Sequence, residues 1–156
     1  MRIIAGTFRG RRLASVGKTK NAAHLRPTTD RVRENLFNLL SSGRIGNPLN
    51  NRRVLDLFAG TGALALEALS RGASSIWMVD KGLNSAALVK KNIALCPTES
   101  EVVFKKLDAT RLPKCPVEAF DLIFLDPPYG KGLGDKALHS ALERGWIAPD
   151  ARIVWE

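Results

Sequence analysis

From residue 53 onward, hydrophobic positions fall into strand-length runs that alternate with stretches of helical spacing. The strand-length runs are residues 54–58, 75–79, 102–107, 121–125 and 151–155. The stretches with apolar residues every three or four positions are residues 63–70, 83–95 and 136–144. Parallel strands need long crossover connections, so this succession predicts an α/β fold with a mostly parallel sheet and helices on both faces.

The first 48 residues follow a different pattern. Residues 2–5 and 11–15 are strand-like and flank a turn that ends in glycine, which predicts a small hairpin. Residues 16–25, which include Gly, Lys and Asn, are predicted to form a mobile loop. Gly43, Gly46 and Pro48 are typical of a linker, so we expect a basic N-terminal extension at residues 1–48 and a core at residues 49–156.

A helix is predicted within that extension. Thr28 or Thr29 can cap it, and helical spacing continues to about Ser41. The residues expected on its apolar face are Val32, Leu36, Leu39 and Leu40. The residues expected on its opposite, polar face are Arg31, Arg33 and Asn35.

Charge is distributed unevenly along the 156 residues, whose net charge is +9. Residues 1–53 contain 12 Lys and Arg residues and only two acidic residues, so their net charge is +10. The other 103 residues contain 12 basic and 13 acidic side chains, so their net charge is −1. This concentration of charge predicts a surface for a polyanion, with nucleic acid as the leading partner, although it can also be a solvated, solubilising face. The arginines expected to contact phosphates are Arg2, Arg9, Arg11, Arg12, Arg26, Arg31 and Arg33.

Composition excludes several classes of protein. With 45% hydrophobic and 25% charged residues, the chain fits one globular domain with a full core. Cys96 and Cys115 are too few for a disulfide scaffold and, with His24 and His139, lack the spacing of a zinc site. The chain has no apolar run of about 18 residues and no signal-peptide core, so we expect a cytoplasmic protein that binds neither metal nor membrane.

A glycine-containing segment follows the first predicted strand of the core and precedes a helix. It consists of seven consecutive residues: Asp56, Leu57, Phe58, Ala59, Gly60, Thr61 and Gly62. Glycine lets a backbone approach a ligand closely, and the acid can accept hydrogen bonds from ligand amines or hydroxyls. The spacing of Gly60, Gly62 and Ala65 also fits a dinucleotide fingerprint, so the segment alone does not select a cofactor, and a plain strand-to-helix turn stays open.

Two further aspartates follow strands of the core and are expected at the same edge of the sheet. Asp80 ends the second strand, where a carboxylate commonly accepts hydrogen bonds from ribose hydroxyls. Asp108 follows the third strand and is able to accept a hydrogen bond from an adenine amino group. Either residue alone can instead cap a turn or helix, but three acids at three successive strand ends favour a ligand site.

The strongest chemical signal is Asp126-Pro127-Pro128-Tyr129, directly after the strand at residues 121–125. The lone pair of an exocyclic nucleobase amine is delocalised into the ring, so a catalyst must hold the amine and accept its N–H bonds. The Asp126 carboxylate and the Pro127 carbonyl provide acceptors, and Tyr129 offers a ring on which a flipped base can stack. An isolated pair of prolines is more simply a rigid turn, but together with the glycine segment it predicts a site for a nucleobase amine.

Both segments resemble motifs of class I S-adenosylmethionine-dependent methyltransferases. Residues 56–62 are similar to motif I, and residues 126–129 to the (Asp/Asn)-Pro-Pro-(Tyr/Phe/Trp) motif of amino-methyltransferases. More closely, nearly the whole chain resembles the RsmD family, through residues 1–13 (MRIIAGTFRGRRL), 26–40 (RPTTDRVRENLFNLL) and 67–73 (EALSRGA). That family consists of bacterial enzymes that methylate the exocyclic N2 of one guanine in 16S ribosomal RNA.

The resemblance implies a Rossmann-like fold, S-adenosylmethionine as cofactor, and 16S rRNA within a small-subunit assembly particle as partner. The residues it implies for lining the cofactor are Asp56, Phe58, Ala59, Gly60, Thr61 and Gly62. Asp80 would hold the cofactor ribose, and Asp108 with Ala109 would contact its adenine. The residues that would orient guanine N2 for in-line attack on the sulfonium methyl are Asp126, Pro127, Pro128 and Tyr129.

Three other functions remain open from the sequence. The chemistry of residues 126–129 also serves DNA N6-adenine and N4-cytosine methyltransferases. The spacing of the glycines is also found in nicotinamide-dependent oxidoreductases. The third alternative is a catalytically silent RNA-binding or assembly protein, which would use only the basic extension. Members of the RsmD family usually continue beyond the fifth strand into a further hairpin, so we expect residues 151–155 to form an open sheet edge here and the hairpin to be missing.

Overall fold

A five-stranded parallel sheet lies at the centre of the computed structural model, which describes residues 1–15 and 29–156. The strands are β1 (Arg53–Leu57), β2 (Ser75–Val79), β3 (Glu101–Lys105), β4 (Phe120–Leu125) and β5 (Ile147–Trp155). Their spatial order is β3-β2-β1-β4-β5, and every neighbouring pair is parallel. The order reverses between β1 and β4, and ligands of such sheets bind outside the carboxyl ends of the strands at this switch point.

Helices cover both faces of the sheet. They are α1 (Asp30–Ser41), α2 (Ala63–Ser70), α3 (Leu83–Ala94) and α4 (Leu133–Glu143), with a 3₁₀ helix at Ala109–Arg111. Val54 of β1 is buried in one cluster with Leu66 of α2. The next residue, Leu55, points to the other face and is buried with Ala137 of α4. The predicted α/β fold is confirmed, and none of the described helices has the length and hydropathy needed to cross a bilayer.

The predicted element boundaries agree with the structure to within a few residues, and those of α2 and β2 match fully. The largest differences are at the starts of α4 and β5, which begin at Leu133 and Ile147, three and four residues earlier than predicted. Glycines at positions 130, 132 and 134 are typical of a loop. Gly134 instead lets α4 approach Trp155, because a Cβ added there would lie 2.4 Å from the indole ring.

The N-terminal segment, residues 1–15, turns back on itself as predicted but has no regular strands. Arg2 and Arg12 form an isolated antiparallel bridge. Its three buried apolar side chains join the cluster that contains α2: Ile3, Phe8 and Leu13. The predicted loop at residues 16–25 lies outside the described residues, as do Arg26 and Thr28.

Polar side chains of α2 hold the N-terminal segment in place. Glu67 accepts hydrogen bonds from the N–H groups of Ile4 and Ala5 at 2.8 and 3.1 Å. The Ser70 hydroxyl donates to the Ala5 carbonyl oxygen at 2.5 Å. Gly6 has a φ of 81°, and a Cβ there would lie 1.7 Å from the Ser70 carbonyl oxygen, so this approach requires glycine. The basic segment is therefore packed tightly onto the core.

Helix α1 has the predicted bounds but a different buried face. Thr29 caps it, and the Thr29 hydroxyl oxygen accepts a hydrogen bond from the Val32 N–H at 3.3 Å. Its buried residues are Arg33, Phe37 and Leu40. The prediction is wrong for Val32 and Leu39, which are 47% and 52% exposed. Phe37 takes the inward position because its ring packs against Phe124 of β4, with the ring centroids 5.7 Å apart.

Candidate functional site

Three strand ends meet at the switch point. Leu57, the last residue of β1, pairs with the last residues of both β2 and β4. The residues that follow these strands are Phe58, Asp80 and Asp126, so they lie side by side at one edge of the sheet. The predicted position of Asp80 at this edge is confirmed, and Asp126 lies on the other side of the glycine segment.

The glycine segment, residues 56–62, makes a tight turn at this edge. Phe58, Gly60 and Gly62 have φ values of 66°, 57° and 77°, in the left-handed region that glycine adopts freely and phenylalanine rarely does. The Gly60 N–H donates to Asp80 Oδ2 at 2.9 Å, and the Gly82 N–H donates to Asp80 Oδ1 at 2.8 Å. Asp80 is therefore fixed between two loops, and each of its oxygens keeps a lone pair for a ligand.

The structure gives Asp56 a different role from the predicted one. The residue is 2% exposed, and its Oδ2 accepts a hydrogen bond from the Ala65 N–H in the first turn of α2 at 3.3 Å. Burial raises the pKa of Asp56 well above its usual value, against the effect of the Ala65 hydrogen bond. The negative charges of Asp126 and Asp80 raise this pKa further. We therefore interpret Asp56 as a support for the glycine segment and α2, because its carboxylate is not open to a ligand.

Asp108 caps the 3₁₀ helix that follows β3. Its Oδ1 accepts hydrogen bonds from the Thr110 N–H and hydroxyl at 3.0 and 2.7 Å. These bonds, and then the Lys81 ammonium 3.6 Å from Oδ2, lower the pKa of Asp108. Capping, the simpler of the two predicted roles, is observed, while the side chain is still 34% exposed beside the buried Ala109. Three residues are too few to show helical periodicity, so the sequence pattern does not reveal this helix.

Asp126, Pro127, Pro128 and Tyr129 follow β4 at the edge next to β1. The first three are partly buried, whereas Tyr129 is 78% exposed. Burial, together with the negative charge of Glu156, raises the pKa of Asp126 to about 6. At neutral pH the carboxylate is therefore mainly ionised and able to accept hydrogen bonds, and an open aromatic ring stands close by in the chain.

The arginines predicted to contact phosphates do not all reach the surface in the same way. Those that are exposed are Arg2, Arg9, Arg11, Arg12 and Arg31. Within that group, Arg2 lies 3.6 Å from Asp30, and Arg11 donates to the Leu95 carbonyl. Arg26 lies outside the described residues.

Arg33 is a correction to that prediction. Its side chain is 0% exposed, and its Nη2 donates to Asp30 Oδ1 at 2.6 Å and to the Arg2 carbonyl oxygen at 2.7 Å. A guanidinium buried in this way is excluded from contact with an RNA phosphate. Charged residues on a helix are normally exposed, so the sequence pattern places Arg33 on the wrong face.

Asn92 of α3 is a buried residue of the site that the motifs do not identify. It is 0% exposed. Its Nδ2 donates to the Thr61 carbonyl oxygen at 2.8 Å and to the Ala14 carbonyl oxygen at 3.0 Å. Its Oδ1 accepts a hydrogen bond from the Ala14 N–H at 2.7 Å. The glycine segment and the N-terminal segment are therefore joined through one side chain, for which a lone Asn in a helical stretch is the only sequence signal.

Known proteins match this chain along its whole length. The family described as Conserved hypothetical protein 95 matches residues 1–156. Ribosomal RNA small subunit methyltransferase D of Haemophilus influenzae is 38% identical over 160 residues, covering 100% of this chain and 78% of that protein. The protein of the same name from Escherichia coli K12 is 35% identical, covering 100% of this chain and 74% of that protein. The chain belongs to the RsmD family.

Solved structures share the architecture of this RsmD family member. The Escherichia coli protein yhhF, provisionally named a methyltransferase, superposes with a TM-score of 0.77 and 34% identity, covering 98% of this chain and 78% of that one. The Thermus thermophilus protein TTHA0928 superposes with a TM-score of 0.71 and is 29% identical in sequence. The match covers 95% of this chain and 80% of that one. The fold is the Rossmann-like class I methyltransferase fold. In residues 1–15 and 29–156, no three His, Cys, Asp or Glu side chains are grouped to hold a metal ion.

Proposed function

We propose that this protein transfers a methyl group from S-adenosylmethionine to the exocyclic N2 of a guanine in 16S ribosomal RNA. The observation that carries the proposal is the position of residues 126–129 at the switch point, beside the glycine segment, in a member of the RsmD family. The name shared by the relatives indicates the class of RNA. The geometry supplies a place where an amine and a methyl donor can meet.

The residues around the glycine segment fit a cofactor with a ribose and a nucleobase. Asp80, held by two backbone N–H groups, presents a fixed carboxylate to ribose hydroxyls. Asp108 Oδ2, beside Lys81, is able to accept a hydrogen bond from a base amino group. The positive φ angles at Gly60 and Gly62 are ones that glycine adopts freely, and Gly60 has no side chain that would hold a ligand away from the backbone. S-adenosylmethionine, when bound there, supplies a methyl group already activated on a sulfonium sulfur.

Asp126 is the residue we assign to the substrate amine. Its carboxylate accepts one N–H bond of guanine N2, and the Pro127 carbonyl oxygen, adjacent in the chain, accepts the other. Holding both N–H bonds aims the nitrogen lone pair at the methyl donor, so the protein contributes mainly orientation. The exposed ring of Tyr129 can stack on a base turned out of its helix. When the N–C bond forms, the bond between the cofactor sulfur and the methyl group breaks. The extra proton of the methylated amine is then released to water, so Asp126 needs only to act as a hydrogen-bond acceptor.

The raised pKa of Asp126 predicts an acid limit to activity. Because the carboxylate is the acceptor, the rate should fall as the pH decreases through about 6, approaching tenfold per pH unit below it. The same pKa shift affects the stability of the fold in the opposite direction along the pH scale. Burial favours the protonated form of Asp126, so its contribution to stability is present at acid pH and is lost as the pH rises through about 6. Initial rates of methyl transfer between about pH 5 and pH 8 test the first statement, which a flat profile would contradict.

RNA binding is assigned to the exposed arginines of the N-terminal segment. Replacing Arg9 and Arg12 together by Ala should weaken RNA binding and lower the slope of log affinity against log salt by about one for each phosphate that is no longer bound. Affinity for S-adenosylmethionine should not change. Filter binding at several salt concentrations measures the slope. Arg144→Ala, which removes an exposed charge after α4, is the control, and equal slopes for the double variant and the control would refute this assignment.

The proposed reaction is tested by incubating the protein with S-adenosylmethionine labelled in its methyl group. The substrates are naked 16S rRNA, small-subunit particles from cells without the gene, and duplex DNA. We expect label in the RNA as N2-methylguanine at one nucleotide, identified by mass spectrometry after nuclease digestion. Label in DNA adenine or cytosine with none in rRNA would replace the proposal by a DNA methyltransferase. RNA binding without transfer to any substrate would leave a catalytically silent RNA-binding protein.

A further inference from the structure

We propose that Asn92 is a positioning residue that couples RNA binding on the N-terminal segment to cofactor binding on the glycine segment. The inference rests on the proposed function, because it requires that RNA and S-adenosylmethionine both bind to this chain. It goes beyond that function by assigning the link between the two ligands to one buried side chain.

The hydrogen bonds of Asn92 use its whole amide group. Each of the two Nδ2 hydrogens has one acceptor, the carbonyl oxygens of Thr61 and Ala14 at 2.8 and 3.0 Å. The Oδ1 atom accepts the Ala14 N–H at 2.7 Å. Since Asn92 is 0% exposed, water does not replace a missing partner unless the packing opens. All three bonds therefore form only when the two segments occupy the positions seen here.

The two partners of Asn92 belong to the two proposed binding regions. Ala14 lies two residues after the exposed Arg12. Thr61 lies between the two glycines of the turn, and its hydroxyl is 3.9 Å from the sulfur of Met1, the first residue of the N-terminal segment. A ligand that holds either segment favours the same arrangement of three bonds. By thermodynamic linkage, each ligand then increases the affinity of the protein for the other by the same factor.

Ser70 provides a matched control for this coupling. Its hydroxyl also holds the N-terminal segment, by donating to the Ala5 carbonyl at 2.5 Å and accepting from the Phe8 N–H at 2.9 Å. It has no hydrogen bond to the glycine segment among the described residues. Ser70→Ala therefore loosens the N-terminal segment in the same general way, without removing a contact to the cofactor turn.

The experiment is titration of S-adenosylhomocysteine, the unreactive product, in the presence and absence of the RNA that the protein methylates. In the wild type, saturating RNA should increase the affinity for S-adenosylhomocysteine by about fivefold or more. Asn92→Ala should reduce that factor to close to one, and Ser70→Ala should retain it. A wild type that methylates RNA but binds S-adenosylhomocysteine equally well with and without RNA would overturn the inference and leave the proposed function intact. An Asn92→Ala protein that keeps the coupling would also overturn it.

Amide hydrogen exchange of the wild type gives a second test, which does not depend on the folding of any variant. S-adenosylhomocysteine alone should slow exchange of the Ala14 N–H, which Asn92 holds. It should leave the Phe8 N–H, which Ser70 holds, unchanged. Unchanged exchange at Ala14, or equal slowing at both amides, would contradict the coupling. Absence of methyl transfer to any RNA, by contrast, would refute the proposed function itself.

Discussion

Replacing Asp126 by Ala will lower the rate of methyl transfer by about 100-fold or more, with cofactor affinity unchanged within about twofold. Alanine has no side-chain oxygen, whereas Asn would keep one acceptor at this position. The guanine amine therefore loses the acceptor that orients it. Single-turnover rates at saturating RNA measure the chemical step, and titration with S-adenosylhomocysteine measures cofactor binding.

Glu118→Ala is the control for this substitution. Glu118 is exposed and lies two residues before β4, at the opposite end of that strand from Asp126, so its replacement also removes one carboxylate. Its rate should equal that of the wild type. An Asp126→Ala rate equal to that of the wild type would contradict the assignment of Asp126 to the amine. A parallel loss of cofactor affinity would show instead that Asp126 holds the methyl donor.

Replacing Glu67 by Ala will lower the free energy of unfolding by about 3 kcal/mol or more. Glu67 is 0% exposed and accepts hydrogen bonds from the N–H groups of Ile4 and Ala5 at 2.8 and 3.1 Å. It also accepts a bond from Arg71 Nε at 2.8 Å. Its removal leaves two backbone donors and a mostly buried guanidinium without their acceptor, and buried donors without partners are costly.

Thermal and denaturant unfolding measure this effect, and a loss of about 3 kcal/mol corresponds to a decrease in Tm of roughly 6–12 °C. Glu99→Ala is the control, because Glu99 is exposed and its loss should leave Tm unchanged. A Glu67→Ala protein with a free energy of unfolding within about 0.5 kcal/mol of the wild type would refute the role given to Glu67.

Local patterns predicted most of the edge of the sheet that carries the candidate site. The apolar run at residues 75–79 and the helix at residues 63–70 are found at their predicted positions, because each reflects side-chain periodicity over a few neighbours. Parallel strands present their carboxyl ends at one edge, so residues that follow such strands are expected to meet. Asp80 and Asp126 do so, on either side of the turn that contains Gly60.

The positions of several polar side chains could not be predicted in this way. Arg33 was expected on a solvent-exposed face, yet it is buried where Asp30 and the Arg2 carbonyl accept its hydrogen bonds. The partners of Asn92 and Glu67 in the N-terminal segment lie 78 and 63 residues away along the chain. No periodicity spans such distances, so neither contact leaves a pattern in the sequence.

The sequence by itself determined the succession of strands and helices along the chain, the glycine turn after β1, and the residue types at the strand ends. These features depend on backbone preferences and on neighbours within a few positions. Only the tertiary structure decided that Asp56 supports α2, that Arg33 is buried, and that Asn92 joins the glycine segment to the N-terminal segment. The physical reason is that a polar side chain is buried only where folding brings a partner to about 3 Å, and that partner is distant in the chain.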